Sequence, residues 1–316
     1  MDLFVTTFES VIVLLVIGLI GFYIIKKKVL PKNVIGILSP LALEIALPSL
    51  IFARIITTFT PDQYPDWWQL PLWWVFFSAL SLGLTIIFMF VSKKINRREF
   101  AISLFFQNAI FFPLAILTGI FPNDPSYVLY LFFFTIFYPP LLFSTYFLFF
   151  KTKEKIKINW KKIIHPVLIA TIIAIIISSL GLKINEDNFI VRIFSLLGAM
   201  TIPLLFLILG GNIYNDFKEK GKLQVLEITK FVIIKNFLFP LIFLVVIFYF
   251  QNFMDYHIAL ILIIQASVPP VTAVPIVTER ADGNRAIVNQ FIVASFLTSL
   301  ISIPLMIYLF ESIITF

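Results

Sequence analysis

Two apolar stretches of this chain carry amide side chains directly ahead of prolines. One reads Gln107-Asn108-Ala109-Ile110-Phe111-Phe112-Pro113-Leu114, the other Gln265-Ala266-Ser267-Val268-Pro269-Pro270-Val271-Thr272. Proline removes a backbone donor and clashes with the preceding turn, so each stretch is expected to interrupt a helix. In hydrocarbon the freed backbone groups need partners, and such a break persists only beside protein or a watery cavity. A break also creates a half-helix N-terminus, whose free amides and positive dipole end favour an anion. Asn108 and Gln107 on one side, with Gln265, Ser267 and Thr272 on the other, add donors that carry no charge to desolvate. Capture of a carboxylate is the chemistry this pattern supports, with Pro113, Pro269 and Pro270 shaping the site. The competing reading for the amides and hydroxyls is an interhelical hydrogen bond that only packs the bundle.

Charges inside apolar stretches are the second group of candidates. Glu44 lies four residues before Pro48, and Lys235 sits beside Asn236. A charge at bilayer depth costs about 2.5–3.5 kcal/mol on insertion scales, so it is expected to face a cavity or a partner. Either residue is a candidate for ion coupling. Glu44 as a proton carrier is weighed against a neutral or paired Glu that holds helices together. Lys235 is read as a partner for Glu44, an attractor of anions, or a side chain that snorkels along its stem.

The elements that position these groups follow from composition. The 316 residues are 60% hydrophobic and 13% charged, with a mean hydropathy of +1.02. No soluble domain hides that much apolar surface, so an all-α polytopic membrane protein is expected. Ten spans fit: 4–25, 33–56, 68–92, 99–121, 126–149, 163–182, 189–213, 224–250, 256–279 and 286–312. The first is read as a retained helix and not a signal peptide, because it lacks a basic leader and a small-residue cleavage site. Loops 26–32, 93–98, 151–162, 218–222 and 280–285 hold 19 of the 24 basic residues. The alternate loops carry Asp62, Asp66, Asp124, Glu186, Asp187 and Asp255. Basic residues stay cytoplasmic, so both termini are expected on the non-cytoplasmic side of the plasma membrane. The net charge of +7 therefore reports orientation and anionic lipid, and no nucleic-acid partner is expected.

The basic linker 151–162 separates residues 1–150 from 163–316, five spans each. An odd number inverts the second half, giving two inverted five-helix repeats. Leu47-Pro48-Ser49-Leu50 in span 2 is similar to Ile202-Pro203-Leu204-Leu205 in span 7, and Pro139-Pro140-Leu141-Leu142 in span 5 to Pro304-Leu305-Met306 in span 10. With the interrupted spans 4 and 9, three matches fall in the same order in both halves. Inverted repeats of this kind place a transporter's site at their interface near the midplane.

On these residues the chain resembles the auxin efflux carrier family, also called the membrane transport protein family. The resemblance rests on Leu47-Pro48-Ser49-Leu50-Ile51-Phe52, on Asn108 with Phe112-Pro113-Leu114, and on His165-Pro166. It continues in Pro203-Leu204 with Leu209-Gly210-Gly211, in Val268-Pro269-Pro270-Val271-Thr272, and in Thr278-Glu279-Arg280. Ala109, Ile110 and Phe111 stand where the family usually has glycines. The long loop of the large plant exporters is absent, so the likeness is to the compact prokaryotic members. The resemblance implies secondary transport of organic anions through crossed, broken helices 4 and 9, on a fold like that of bile-acid sodium symporters. Malate, malonate and auxin-like acids are the substrate classes it suggests.

Other classes are disfavoured. Cys is absent and His occurs twice, which argues against thiolate or histidine metal sites and a cysteine nucleophile. No phosphate-binding glycine loop ending in Lys-Ser or Lys-Thr is present, so ATP drive within the chain is not expected. No cofactor and no enzymatic activity are expected. Proton, sodium and membrane-potential drive stay open, as do a homodimer, a channel and a ligand sensor on the same scaffold.

Overall fold

The computed structural model describes residues 3–31, 33–150, 166–181, 184–218 and 223–315. The basic linker 151–162, Lys32, His165, Lys183, Lys220 and Lys222 lie outside the described residues.

Leucine, isoleucine, valine and phenylalanine dominate every long segment, and in hydrocarbon only a helix satisfies the backbone of one such segment by itself. The described residues are accordingly helical, with no strand among them. The helices are α1 (Leu3–Lys26), α2 (Val34–Thr58), α3 (Gln69–Val91), α4 (Arg97–Phe105), α5 (Phe111–Ile120), α6 (Ser126–Phe134) and α7 (Tyr138–Thr145). They continue as α8 (Pro166–Ser179), α9 (Phe189–Ala199), α10 (Thr201–Lys218), α11 (Val225–Phe253), α12 (Tyr256–Ser267), α13 (Val274–Arg280) and α14 (Arg285–Ile313). Among the described residues six stretches are long and apolar enough to cross a bilayer: α1, α2, α3, Phe189–Asn215 within α9 and α10, α11, and α14. Shorter apolar helices fill the rest. The chain is a polytopic all-α membrane protein.

Proline sets the irregularities. Pro48 has no N–H for the carbonyl of Glu44, and Pro240 none for Asn236. In each helix the turn just before widens to the π form, over Leu41–Ala46 in α2 and Ile233–Leu238 in α11. The Leu47 N–H then reaches back to Ala42 and the Phe239 N–H to Ile234. Widening relieves the clash of the ring with the earlier carbonyl without ending the helix.

Packing is closest where side chains vanish. α1 runs along α10, and a Cβ on Gly210 would overlap the Gly18 carbonyl; one on Gly21 would overlap that of Leu207. α8 runs along α2, and α9 also packs on α2 with Gly198 against the Leu50 backbone. Elsewhere aromatic rings fill the core. Phe231 stacks on Phe291 at 4.5 Å, and both meet Phe100 edge-on. α12 lies against α11 and α14, fully buried from Ile258 to Ser267.

Candidate functional site: a crossing of two interrupted helices

Between α4 and α5 the chain leaves the helix over Phe106–Ile110, and between α12 and α13 over Val268–Ala273; each non-helical stretch ends in a turn, at Ala109–Ile110 and at Thr272–Ala273. The two segments meet antiparallel at an isolated β-bridge between Gln107 and Pro270. The Asn108 N–H donates to the Pro269 carbonyl at 2.8 Å, and the Val271 N–H to the Phe106 carbonyl at 3.0 Å. Each break thus supplies partners for backbone groups that the other break frees, which lets non-helical chain exist at this depth. The order is informative. Pro113 lies inside the first turn of α5, where its missing N–H does no harm, and the interruption itself falls upstream of it.

Side chains tighten the crossing. Gln265 donates to the Ala109 carbonyl at 2.6 Å and accepts from Gln107 Nε2 at 3.3 Å. The Tyr138 hydroxyl donates to the Gln107 carbonyl. Asn108 Oδ1 accepts the Phe111 N–H at 3.1 Å, capping α5. With its oxygen committed, Asn108 has its amide N–H groups left to offer. Ser267 donates back to the Ile263 carbonyl of its own helix at 2.7 Å.

Beside the crossing is a cavity of about 160 Å³. Its wall is mostly apolar, formed by Leu43, Leu47, Ile110, Phe111, Phe206 and Leu209 among others. Ser39, Asn108, Tyr138, Asn212 and Thr272 supply its polar side chains, and among the described residues no charged one lines it. The cavity lies between helices α2 and α10 on one side and the crossing on the other. Neutral donors in an apolar wall can hold an anion by hydrogen bonds without paying to bury a counter-charge.

The expected site residues therefore divide. Asn108 and Thr272 line the cavity. Gln107, Gln265, Pro269 and Pro270 build the crossing behind it, and Pro113 and Ser267 belong to the flanking helices. Tyr138, Asn212 and Ser39 join the wall. Tyr138 precedes the Pro139-Pro140 pair, which was its one available signal; Asn212, near an inner span end, reads from sequence as an interfacial or capping group, and Ser39 carried no signal.

The two intramembrane charges also separate. Lys235 is only 2% exposed, lies in the π turn of α11, and places Nζ 5.2 Å from the Phe239 ring. No carboxylate pairs with it among the described residues. Its neighbour Asn236 bonds to Ser295 and Ser302 of α14. Of the three readings of Lys235, the pair with Glu44 is not formed. Glu44 stands on the exposed face of α2, outside the cavity. The wide turn over Leu41–Ala46 shifts the angular positions of its residues from those of a straight α-helix, a rotation that spacing alone did not reveal.

The sequence pattern of the membrane transport protein family matches residues 6–307. No curated protein matches the chain. The match spans nearly the whole length, covers both interrupted segments and agrees with the apolar helices, so the chain belongs to the membrane transport protein family, the auxin efflux carrier family, as a multi-pass membrane transporter.

Proposed function

We propose that this chain is a secondary transporter that moves small organic anions, carboxylates of the malate, malonate or auxin-like kind, by alternating access. The substrate site is the cavity beside the crossing. The observation that carries this reading is Asn108: its oxygen caps α5 while its amide edge is free for the cavity. Thr272 approaches from the other interrupted segment, so a bound anion would touch both.

A ten-span reading supports it, with α4 and α5 as span 4, α12 and α13 as span 9, and two inverted repeats, 1–150 and 163–316. α1 packs along α10 in the way that α8 packs along α2; these are corresponding pairs if span 1 matches span 6 and span 2 matches span 7. Both termini then lie on the non-cytoplasmic side of the plasma membrane. For coupling, Lys235 is favoured over Glu44, since it is buried and pairs with no carboxylate among the described residues.

Solute counterflow in proteoliposomes tests the proposal, with labelled dicarboxylates, monocarboxylates and aromatic acids and with Asn108→Ala alongside. Saturable exchange of one acid, lost in a variant that still folds, is the expected result. Exchange that Asn108→Ala leaves intact would move the site elsewhere. Passive flux without counterflow would make the protein a channel, and binding without movement would make it a sensor.

A further inference from the structure

At the end of the molecule where the basic loops 93–98 and 280–285 lie, a second cavity opens, of about 320 Å³. Lys94, from the turn between α3 and α4, lines it, with Arg97 and Arg98, the first two residues of α4. So do Glu99 of α4, Asp282 of the α13–α14 turn, and Phe150. Three cations and two carboxylates face one space, yet among the described residues none of the five pairs with another. Arg97 lays its guanidinium 4.8 Å from the Phe90 ring, and its Nε is buried without a partner. Glu99 is only 6% exposed. One of its oxygens accepts the Asn284 N–H at 2.9 Å, and the other is buried with no hydrogen-bond partner.

A buried carboxylate oxygen without a donor is costly, and a charged donor satisfies it best. An anion would answer the three cations but be repelled by Glu99 and Asp282. A cation would do the reverse. One ligand answers both sets if it carries a phosphate and a primary ammonium a short distance apart. The rim indicates where such a ligand comes from. Ile95 is 83% exposed, Phe90 62% and Val91 45%, an apolar edge that suits acyl chains beside a basic interface.

We propose that this cavity binds the head group of a phosphoethanolamine lipid from the adjoining leaflet. Its phosphate meets Lys94, Arg97 and Arg98, and its ammonium meets Glu99 and Asp282. A choline head group has no N–H to donate to Glu99, and a glycerol head group brings no positive charge, so the site discriminates among common lipids. The bound lipid would tie the start of α4 to the turn after α13, the outer ends of both interrupted segments. The inference concerns lipid binding and is independent of what is transported.

The test is native mass spectrometry of the delipidated full chain in detergent. It is titrated with phosphatidylethanolamine, phosphatidylglycerol and phosphatidylcholine of identical acyl chains, and with free O-phosphoethanolamine as competitor. Phosphatidylethanolamine should bind tighter than either other lipid by about tenfold or more, the worth of one charge-assisted bond. Glu99→Gln keeps the acceptor for Asn284 but removes the charge, and should abolish that preference without weakening phosphatidylglycerol. Asp282→Asn should act in the same direction. Asp282 is exposed with φ of 56°, a conformation Asn adopts readily, so this variant folds even if Glu99→Gln does not. Equal or tighter binding of phosphatidylglycerol by the unaltered chain overturns the proposal. So does an unchanged preference in both variants. Displacement of the lipid by equimolar O-phosphoethanolamine would overturn its lipid source.

Discussion

At the scale of single residues, two kinds of polar side chain share this membrane interior. Asn108 does two jobs with the two ends of one amide, and the Asp substitution separates them. Asn108→Asp keeps an oxygen for the Phe111 N–H and places a negative charge at a helix N-terminus, where it is welcome. Thermal stability in detergent is expected to stay near that of the unaltered chain. Anion exchange should fall by about tenfold or more, because a donor has become a repelling acceptor. Loss of stability with normal exchange would show that the cap matters and the donor does not. Lys235 poses the opposite problem, a buried side chain whose desolvation penalty only the Phe239 ring eases among the described residues. Lys235→Met keeps its shape and removes that penalty, so the variant should melt at or above the original temperature. If Lys235 carries coupling, uptake by Lys235→Met proteoliposomes should no longer respond to an imposed proton gradient; an unchanged response would remove Lys235 from the mechanism. The residue types were legible in the sequence, since amides beside prolines and charges within apolar runs are rare enough to mark. Their directions were not. Gln265 and Asn108 look alike as sequence, yet one links the Ala109 carbonyl to the Gln107 amide across the crossing and the other opens to the cavity.

At the scale of elements, the question is what holds two interrupted helices against each other. Gln265→Ala would leave the Ala109 carbonyl without its side-chain donor and Gln107 without its acceptor. We expect a loss of about 1–3 kcal/mol in reversible unfolding, the penalty for buried polar groups left unpaired. A different force governs α1 and α10, where backbone approaches backbone. Gly210→Ala inserts a methyl group into the Gly18 carbonyl, and overpacking of this kind costs about 1–3 kcal/mol. A lowered melting temperature on detergent unfolding is the expected readout. By contrast Gly83, whose Cβ would meet nothing within 4 Å, should accept alanine without loss. The breaks themselves could be read from proline, though only to within about one or two turns. Pro113 marks where α5 starts, not where α4 stops, because proline fits the first turn of a helix. The π turns of α2 and α11 were not anticipated. A proline in a helix admits a kink, a break or a widened turn, and neighbouring helices decide which.

At the scale of the whole molecule, charge along the chain predicts an orientation that side-chain geometry does not test. The chain has no cysteine, so single thiols report sidedness without background. Asp62→Cys should react with a membrane-impermeant maleimide added to intact cells, and Lys94→Cys only after the membrane is opened. The reverse pattern would turn the protein over and with it the assignment of both termini. Hydropathy and basic loops made the class of fold legible, because a bilayer imposes a length and a sidedness on every span. The pairing of distant helices was not legible, since apolar faces look alike to one another. One feature of the crossing bears on how these parts are joined. Pro269 and Pro270 have no N–H to give, so the bridge at Gln107 and Pro270 cannot lengthen into a ladder along that side. The prolines between α12 and α13 therefore also hold the backbone contact to a single rung, and beyond it the two broken helices are joined by side chains, Gln265 on Ala109 and Gln107, with Tyr138 of α7 also on Gln107.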